Sequence, residues 1–489
     1  MTRQNNPLLE SLPKFKDPRE FIPLMRYSPL EDVEIPNLCF LERQSILLSG
    51  DSPYAPLSSS IRVASVLYGM MCASYESRNP LKIVNRQSLL NIQVGLKPAV
   101  SANSSLGVCS GYIIKGITGT GKTAALSRFS SLFPDSIVHS KNQSAGWAQQ
   151  VQIPVLVIAM PDEGSRGGFI QSILDEIDRI TGQEYSQSYN SRIRSVDKLA
   201  IKVIALLHRY FVGLLIVEEV QLRNLQKSSQ ASVMQLFLLS IMNAGIPLVL
   251  VGNPLGFDWI NESSQDRRRL NHGPAEFLHP MEIQNSDYDE DWGHFFESVY
   301  QYYVLDGKPE GEKTLLSRVL RSLSGGLPDL AMSLWKNAQN KVLFEEVSEK
   351  SVNEGTLKTA YLDEGFNAMR PIADGFTYRN PLKFIGCNDI PSEYYEEKWG
   401  NRKDPHDASS YEDNSSIQVG GKIHTSNKSK RVPTEKSKLK RKITLEKNKK
   451  AEREMKKKTL PKEDIRMQGV SDLHIGEFRG IVGKDEDNN

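Results

Sequence analysis

Hydrophobic residues along this chain keep changing their spacing, and the changes mark its divisions. Residues 1 to about 60 hold short apolar clusters interrupted by proline, as in Pro7-Leu8-Leu9, Leu12-Pro13, Phe21-Ile22-Pro23 and Ile35-Pro36. Proline breaks both helix and ladder, so this stretch predicts an extended arm with anchor points, draped over its own protein or over a partner. Residues 60–71 then predict a helix that ends near Arg78-Asn79-Pro80. From about residue 108 continuous apolar runs alternate with helical spacing. The runs at 111–115, 154–160, 213–217 and 247–252 read as strands buried on both faces. Between them, Phe169, Ile170, Ile173, Leu174, Ile177 and Ile180 recur at helical intervals, as do Leu199, Val203, Leu206 and Leu207 and the segment 233–243. Strands alternating with helices predict a parallel α/β sheet sandwiched by helices, with ligand at the carboxyl ends of the strands.

After about residue 295 the strand pattern stops. Segments 313–323, 327–342 and 354–363 read as helices around Ser324-Gly325-Gly326, a small α-helical unit directly after the α/β domain. Over residues 400–465 the periodicity is lost to Ser, Asn, Asp and Lys, which predicts disorder or a solvated helix. An isolated apolar cluster follows at Val470, Leu473, Ile475, Phe478, Ile481 and Val482. The predicted divisions are therefore 1–105, an arm and helix; 106–295, the α/β domain; 296–395, a helical lid; and 396–489, a basic tail.

Length and composition agree with several cores: 489 residues, 39% hydrophobic and 25% charged, describe a mostly globular chain. The first residues carry no apolar signal core, and no apolar run approaches the roughly 20 residues of a membrane helix. Cys39, Cys72, Cys109 and Cys387 are scattered, without the spacing of a zinc site or a disulfide framework. A reduced, cytoplasmic protein is expected, with no membrane partner. The net charge of +2 conceals an asymmetry. Residues 422–462 contain roughly 17 Lys and Arg against 4 Glu, so the rest of the chain is acidic by about 11 charges. Any nucleic-acid affinity of the body must come from a local patch.

The chemistry concentrates at Gly116-Ile117-Thr118-Gly119-Thr120-Gly121-Lys122-Thr123, a G-x-x-x-x-G-K-T loop between a predicted strand and a predicted helix. Its glycines let backbone N–H groups face phosphate oxygens, and the following helix points its positive end at them. Gly116, Thr118, Gly119, Thr120, Gly121, Lys122, Thr123 and Ala124 form the expected nucleotide-binding set, with Lys122 on the β- and γ-phosphates of ATP and the Thr123 hydroxyl on Mg2+. The run 214–217 leads straight into Glu218-Glu219, the acidic pair of a Walker B strand. Glu218 is expected at Mg2+ and Glu219 at the attacking water. Glu218 stands where aspartate is usual, one methylene longer, and Mg2+ demands near-ideal geometry, so slow hydrolysis is expected. Asn253 follows the next run and is placed to orient the lytic water. Arg267, Arg268 and Arg269 read either as a solvated surface or as an arginine finger reaching a neighbouring subunit's γ-phosphate in a head-to-tail assembly. No arginine stands at Pro328-Asp329, where many such ATPases carry one. The lysine-rich tail suits salt-sensitive phosphate contact, and the terminal apolar cluster suits either a docking peptide or a strand tucked onto the body.

In this order these motifs are those of an AAA+ ATPase. The chain further resembles the TnsC family, AAA+ regulators of heteromeric DNA transposons related to the TniB proteins. The resemblance runs through Asn6-Pro7-Leu8-Leu9-Glu10-Ser11-Leu12-Pro13, Leu41-Glu42-Arg43, Arg78-Asn79-Pro80, the phosphate loop, 214–221, Gly245-Ile246-Pro247, Val251-Gly252-Asn253-Pro254 and the lid to about residue 375. It implies an ATP-dependent ring or filament on double-stranded DNA marked by a TniQ-type target-selection protein. Such an assembly recruits transposase and endonuclease subunits, and hydrolysis takes it apart. Glu218 and Asn253 depart from the family, whose members usually carry Asp and often Thr there. Two other classes compete: a replication initiator or helicase loader, which predicts a winged-helix module where the basic tail stands, and a nucleotide-binding signalling scaffold with little turnover.

Overall fold

The computed structural model describes residues 5–87, 111–161, 164–220, 231–257, 275–281, 290–387 and 389–400. Its strands are β1 (Gly111–Gly116), β2 (Ile137–His139), β3 (Gln150–Gln152), β4 (Val155–Ala159), β5 (Leu214–Val220), β6 (Leu248–Gly252) and β7 (Glu276–Leu278). Five of them form one sheet in the order β4-β5-β6-β1-β7, parallel at every pairing, while β2 and β3 make an antiparallel hairpin. Successive residues of a strand face opposite ways. Ile113, Leu215, Val217, Leu248 and Leu250 therefore meet the helices Arg166–Thr181, Val196–Arg209 and Ala231–Asn243 on one face. Tyr112, Ile114, Leu214, Ile216, Val249 and Val251 meet the helices Ser58–Ser77 and Lys122–Ser130 on the other. Burial on two sides thus explains the continuous apolar runs of β1, β5 and β6. Strand β4, at the sheet edge, departs from the expectation, with Val155 and Val157 only half-buried.

The proline-rich arm folds into short helices, Pro7–Glu10 and Phe21–Met25, on the chain's own core. Leu8, Leu12, Phe21 and Met25 are buried in the cluster that holds Val63, Leu67 and Tyr75. Polar clamps fix its register: Asn6 Nδ2 donates to the Tyr75 carbonyl (2.8 Å), and Gln152 Nε2 donates to the Leu8 carbonyl (3.0 Å). Next along the chain, the helix Phe40–Leu48 packs against the lid, where Arg43 pairs with Asp306 at 2.7 Å and Tyr302 Oη donates to the Ile46 carbonyl at 2.8 Å.

The lid is helical, as the sequence predicts, from Glu290–Gln301 through Lys313–Ser324, Pro328–Leu343, Glu354–Leu362 and Arg370–Thr377 to Ser392–Gly400. Trp335, Leu334, Leu320, Leu357 and Tyr395 are at its centre. Several elements were not expected from the pattern. They include β7, whose three residues are too few to show a period, the hairpin β2–β3, the helix Phe40–Leu48 inside the arm, and the helices Tyr185–Arg192, Arg370–Thr377 and Ser392–Gly400. Arg267–Arg269, the basic tail and the terminal apolar cluster lie outside the described residues.

Arg78 is fully buried, its Nη2 donating to Ser74 Oγ (2.7 Å) and to the Val212 carbonyl (2.6 Å). Beside it, burial first and the Arg78 charge second push the His208 imidazole down to about 3. A base whose folded pKa is depressed takes up its proton in the unfolded chain first. Stability is then full above the unfolded pKa of 6.5 and falls as the pH drops toward 3. Denaturant unfolding of the wild type and of His208→Leu should show a stability difference that changes by about 1.4 kcal/mol per pH unit between pH 6 and 5. Parallel curves across that range would exclude His208 as the titrating group.

Candidate nucleotide-binding site

Strand β1 ends at Gly116, and the chain turns through Gly119 and Gly121, at φ 85° and 86°, into the helix Lys122–Ser130. Those left-handed conformations suit glycine and turn the loop amides inward. Thr120 is buried and locks the loop from within, its hydroxyl donating to the Ile117 carbonyl at 2.8 Å. Thr118, Thr123 and Ala124 are exposed along the rim. No side chain caps the helix, so the N–H groups of its first turn are left to a ligand. Lys122 folds back over the loop, its Nζ donating to the carbonyls of Gly116 (2.7 Å) and Ile117 (2.9 Å). Burial lowers its pKa to about 8, opposed by the charges of Asp389 and Glu218.

The acidic pair stands on a backbone irregularity. The β5–β6 register shifts between Val217 and Val220, and Glu219 at the shift has φ 58°. A bulge of this kind re-aims side chains that a regular strand would alternate. Across it, a Cβ at Gly252 would lie 2.0 Å from the Val220 carbonyl oxygen, so only glycine lets the bulge close on β6. Glu218 is half-buried and Glu219 exposed. Burial raises the Glu218 carboxyl, a hydrogen bond from Thr123 opposes this, the Glu219 charge adds to it, and Lys122 opposes it again.

Thr118, Lys122, Thr123, Glu218, Glu219 and Asn253 line one cavity of about 410 Å3. Asn253 follows β6 directly and enters the cavity beside Gly252. The structure thus brings the loop, the acids and this amide together. A second cavity of about 380 Å3 shares Gly119, Gly121, Ala124 and Asp329 with the first. Its apolar wall comes from the arm (Pro53, Tyr54, Ala55, Leu57), from β7 (Leu278) and from the lid (Phe295, Pro328, Met332). Asp329 opens the lid helix against the loop, its backbone N–H donating to the Gly119 carbonyl at 3.2 Å. Lys336, about two turns along that helix, donates to the carbonyls of Ser49 (3.0 Å) and Asp51 (2.9 Å), tying arm to lid.

The residues fit a nucleotide and its metal ion. Glu218 Oε1 is buried with no hydrogen-bond partner, beside the Thr123 hydroxyl. An orphaned carboxylate oxygen next to a hydroxyl is a place for a hard cation. Among the described residues no group of three or more His, Cys, Asp and Glu is placed to hold a metal ion. Thr123 and Glu218 would hold the ion, the loop amides and Lys122 the phosphates, and the second cavity the nucleoside. Bound there, the metal would supply charge neutralisation of the phosphates.

One strand, β6, separates the strand that carries the phosphate loop from the strand that carries the acids, and a helical lid adjoins the loop. That arrangement makes this an AAA+-type P-loop fold. Residues 102–276 match the family model described as the bacterial TniB protein, so the resemblance to the TnsC and TniB proteins holds over the nucleotide-binding part of the chain. No curated protein matches. Among solved structures, the chain is similar to the Aeropyrum pernix Orc1 protein in complex with DNA, at 16% identity and TM-score 0.37, over 65% of this chain and 68% of that one. It is similar to the Thermotoga maritima RuvB Holliday junction branch migration motor at 14% and 0.31, over 65% and 80%, and to a Walker-type ATPase of Pyrococcus abyssi at 13% and 0.35, over 59% and 84%.

Sequence reasoning missed the second cavity. The apolar Pro53-Tyr54-Ala55-Pro56-Leu57 just before a predicted helix was the available signal. Asp389, which accepts from the Thr118 hydroxyl at 3.1 Å, had none.

Replacing Gly252 by Ala should push the bulge off β6 and cost about 2 kcal/mol in denaturant unfolding. An unchanged midpoint would show that the bulge yields freely. Ser333, exposed on the wall of the second cavity, offers a cleaner test of the nucleoside site. Ser333→Trp should weaken ATP binding about tenfold or more while leaving inorganic triphosphate unaffected, since apolar filling removes the room for the base alone. Equal loss for both ligands in calorimetric titration would place the nucleoside elsewhere.

Proposed function

We propose that this chain is an ATP-dependent regulator of DNA transposition, which assembles on double-stranded DNA and links target selection to the transposase. The observation that carries the reading is the meeting of phosphate loop, bulged acidic pair and nucleoside cavity at one edge of a sheet whose segment 102–276 matches the TniB model. Lys122 and the loop amides bind the phosphates, and Thr123 and Glu218 hold Mg2+. Glu219 polarises the attacking water, oriented by Asn253. The length of Glu218 makes turnover slow. One of Arg267, Arg268 and Arg269 completes a neighbouring subunit's site, so that ATP favours a ring or helical filament and hydrolysis releases it.

DNA phosphates are contacted by exposed basic groups. Lys141, exposed in the loop between β2 and β3, is one, and the lysine-rich tail supplies others. A TniQ-type target selector and the transposase and endonuclease subunits are the protein partners, engaged by the arm side and the tail. No described helix is long and apolar enough to cross a membrane.

Electron microscopy of the protein with double-stranded DNA tests this, comparing ATP, a non-hydrolysable analogue and ADP. Rings or filaments on DNA are expected with triphosphate only. Glu219→Gln should bind ATP normally, lose turnover by about a hundredfold or more, and stay assembled after ATP is added. Monomers that ignore DNA in every nucleotide state would favour a signalling scaffold instead.

A further inference from the structure

The phosphate loop is met by an acid from the far end of the lid. Asp389 Oδ2 accepts the Thr118 hydroxyl at 3.1 Å, and the carboxylate's charge acts on Lys122 more strongly than that of Glu218. Its position is fixed by its neighbours. Ile390 is buried, its N–H donating to the Cys387 carbonyl (3.3 Å), and the Cys387 N–H donates to the Phe384 carbonyl (2.9 Å). Immediately beyond, the helix Ser392–Gly400 is seated by Tyr395, which packs against Phe384 and Trp399 with ring centroids 5.7 and 4.7 Å apart. A rigid aromatic mount therefore presents a carboxylate to the phosphate loop, where its charge is felt by Lys122. Nothing in the chemistry of phosphate binding calls for an anion at that place.

We propose that Asp389 is a specificity-determining residue that distinguishes triphosphate from diphosphate by repulsion. Its carboxylate accepts the Thr118 hydroxyl, acts by its charge on Lys122, and so holds the last lid segment on the loop. A ligand that brings more negative charge to Lys122 meets more repulsion, and the terminal phosphate of a triphosphate is the group that Lys122 reaches. Triphosphate therefore separates Asp389 from Thr118, and diphosphate leaves the contact in place. Nucleotide state is passed to the helix Ser392–Gly400, and so to the start of the basic tail, by expulsion of an acid. This rests on the nucleotide-site reading above.

The test compares the full chain with Asp389→Asn, which keeps the shape and a hydrogen-bonding group but removes the charge. Calorimetric titration with a non-hydrolysable ATP analogue should show about tenfold tighter binding by the variant at low salt, and ADP affinity should change by no more than about twofold. In the wild type, amide hydrogen exchange over residues 389–400 should rise with the analogue and not with ADP, and in the variant that contrast should disappear. Equal gains for both nucleotides, no gain, or weaker analogue binding would overturn the inference. If wild type and variant both fail to bind either nucleotide, the nucleotide site itself is wrong; if both bind alike, only the role of Asp389 is.

Discussion

A parallel sheet has no face of its own to offer solvent, because the crossovers that join its strands lay helices on both sides. Here the covering is complete: one face meets three helices, and the other meets two helices and the arm. Polar chemistry is thereby forced to the carboxyl edge of the strands. Gly116, Glu218 and Asn253 all lie there because β1, β5 and β6 run the same way and end at nearly the same height. The lid completes the edge by placing the backbone of Asp329 against Gly119.

At that edge, charges of opposite sign are kept close without cancelling. Loop amides, an uncapped helix and Lys122 make a site for an anion, while Glu218 and Glu219 approach from β5 and Asp329 and Asp389 from the lid. The acids divide by purpose. Glu218 is partly buried with an unsatisfied oxygen, which suits a metal ion. Glu219 is exposed on a left-handed residue, a conformation that persists only where the surroundings impose it. Close approach across Gly252 is what imposes it.

The sheet and the phosphate loop were legible in the sequence because both depend on local patterns. Continuous apolar runs identify strands buried twice over, and Gly119, Gly121 and Lys122 identify a loop by residue type. The acidic pair was legible because 214–217 points directly at it. What stayed hidden depends on distance along the chain. Glu276-Phe277-Leu278 is a strand only because β1 lies beside it. Proline between 7 and 36 reads as extension, yet Pro7 merely starts a helix whose cap, Asn6, is bound to Tyr75. The cavity wall of Tyr54, Leu278 and Met332 joins arm, sheet and lid, and no window of sequence contains all three.

The buried arm also has a consequence for the order in which the molecule is made. Asn6 and Leu8 leave the ribosome well before their partners, Tyr75 and Gln152, at separations of 69 and 144 residues, with strands β4 to β7 later still. Contacts of such long range are slow to form, and until then the apolar side chains of the arm have nothing to cover. Its closely spaced prolines keep the waiting segment from pairing as a strand with other chains. The arm is synthesised before the sheet it packs on and is among the last elements to find its place, so its docking marks a chain that has finished its sheet.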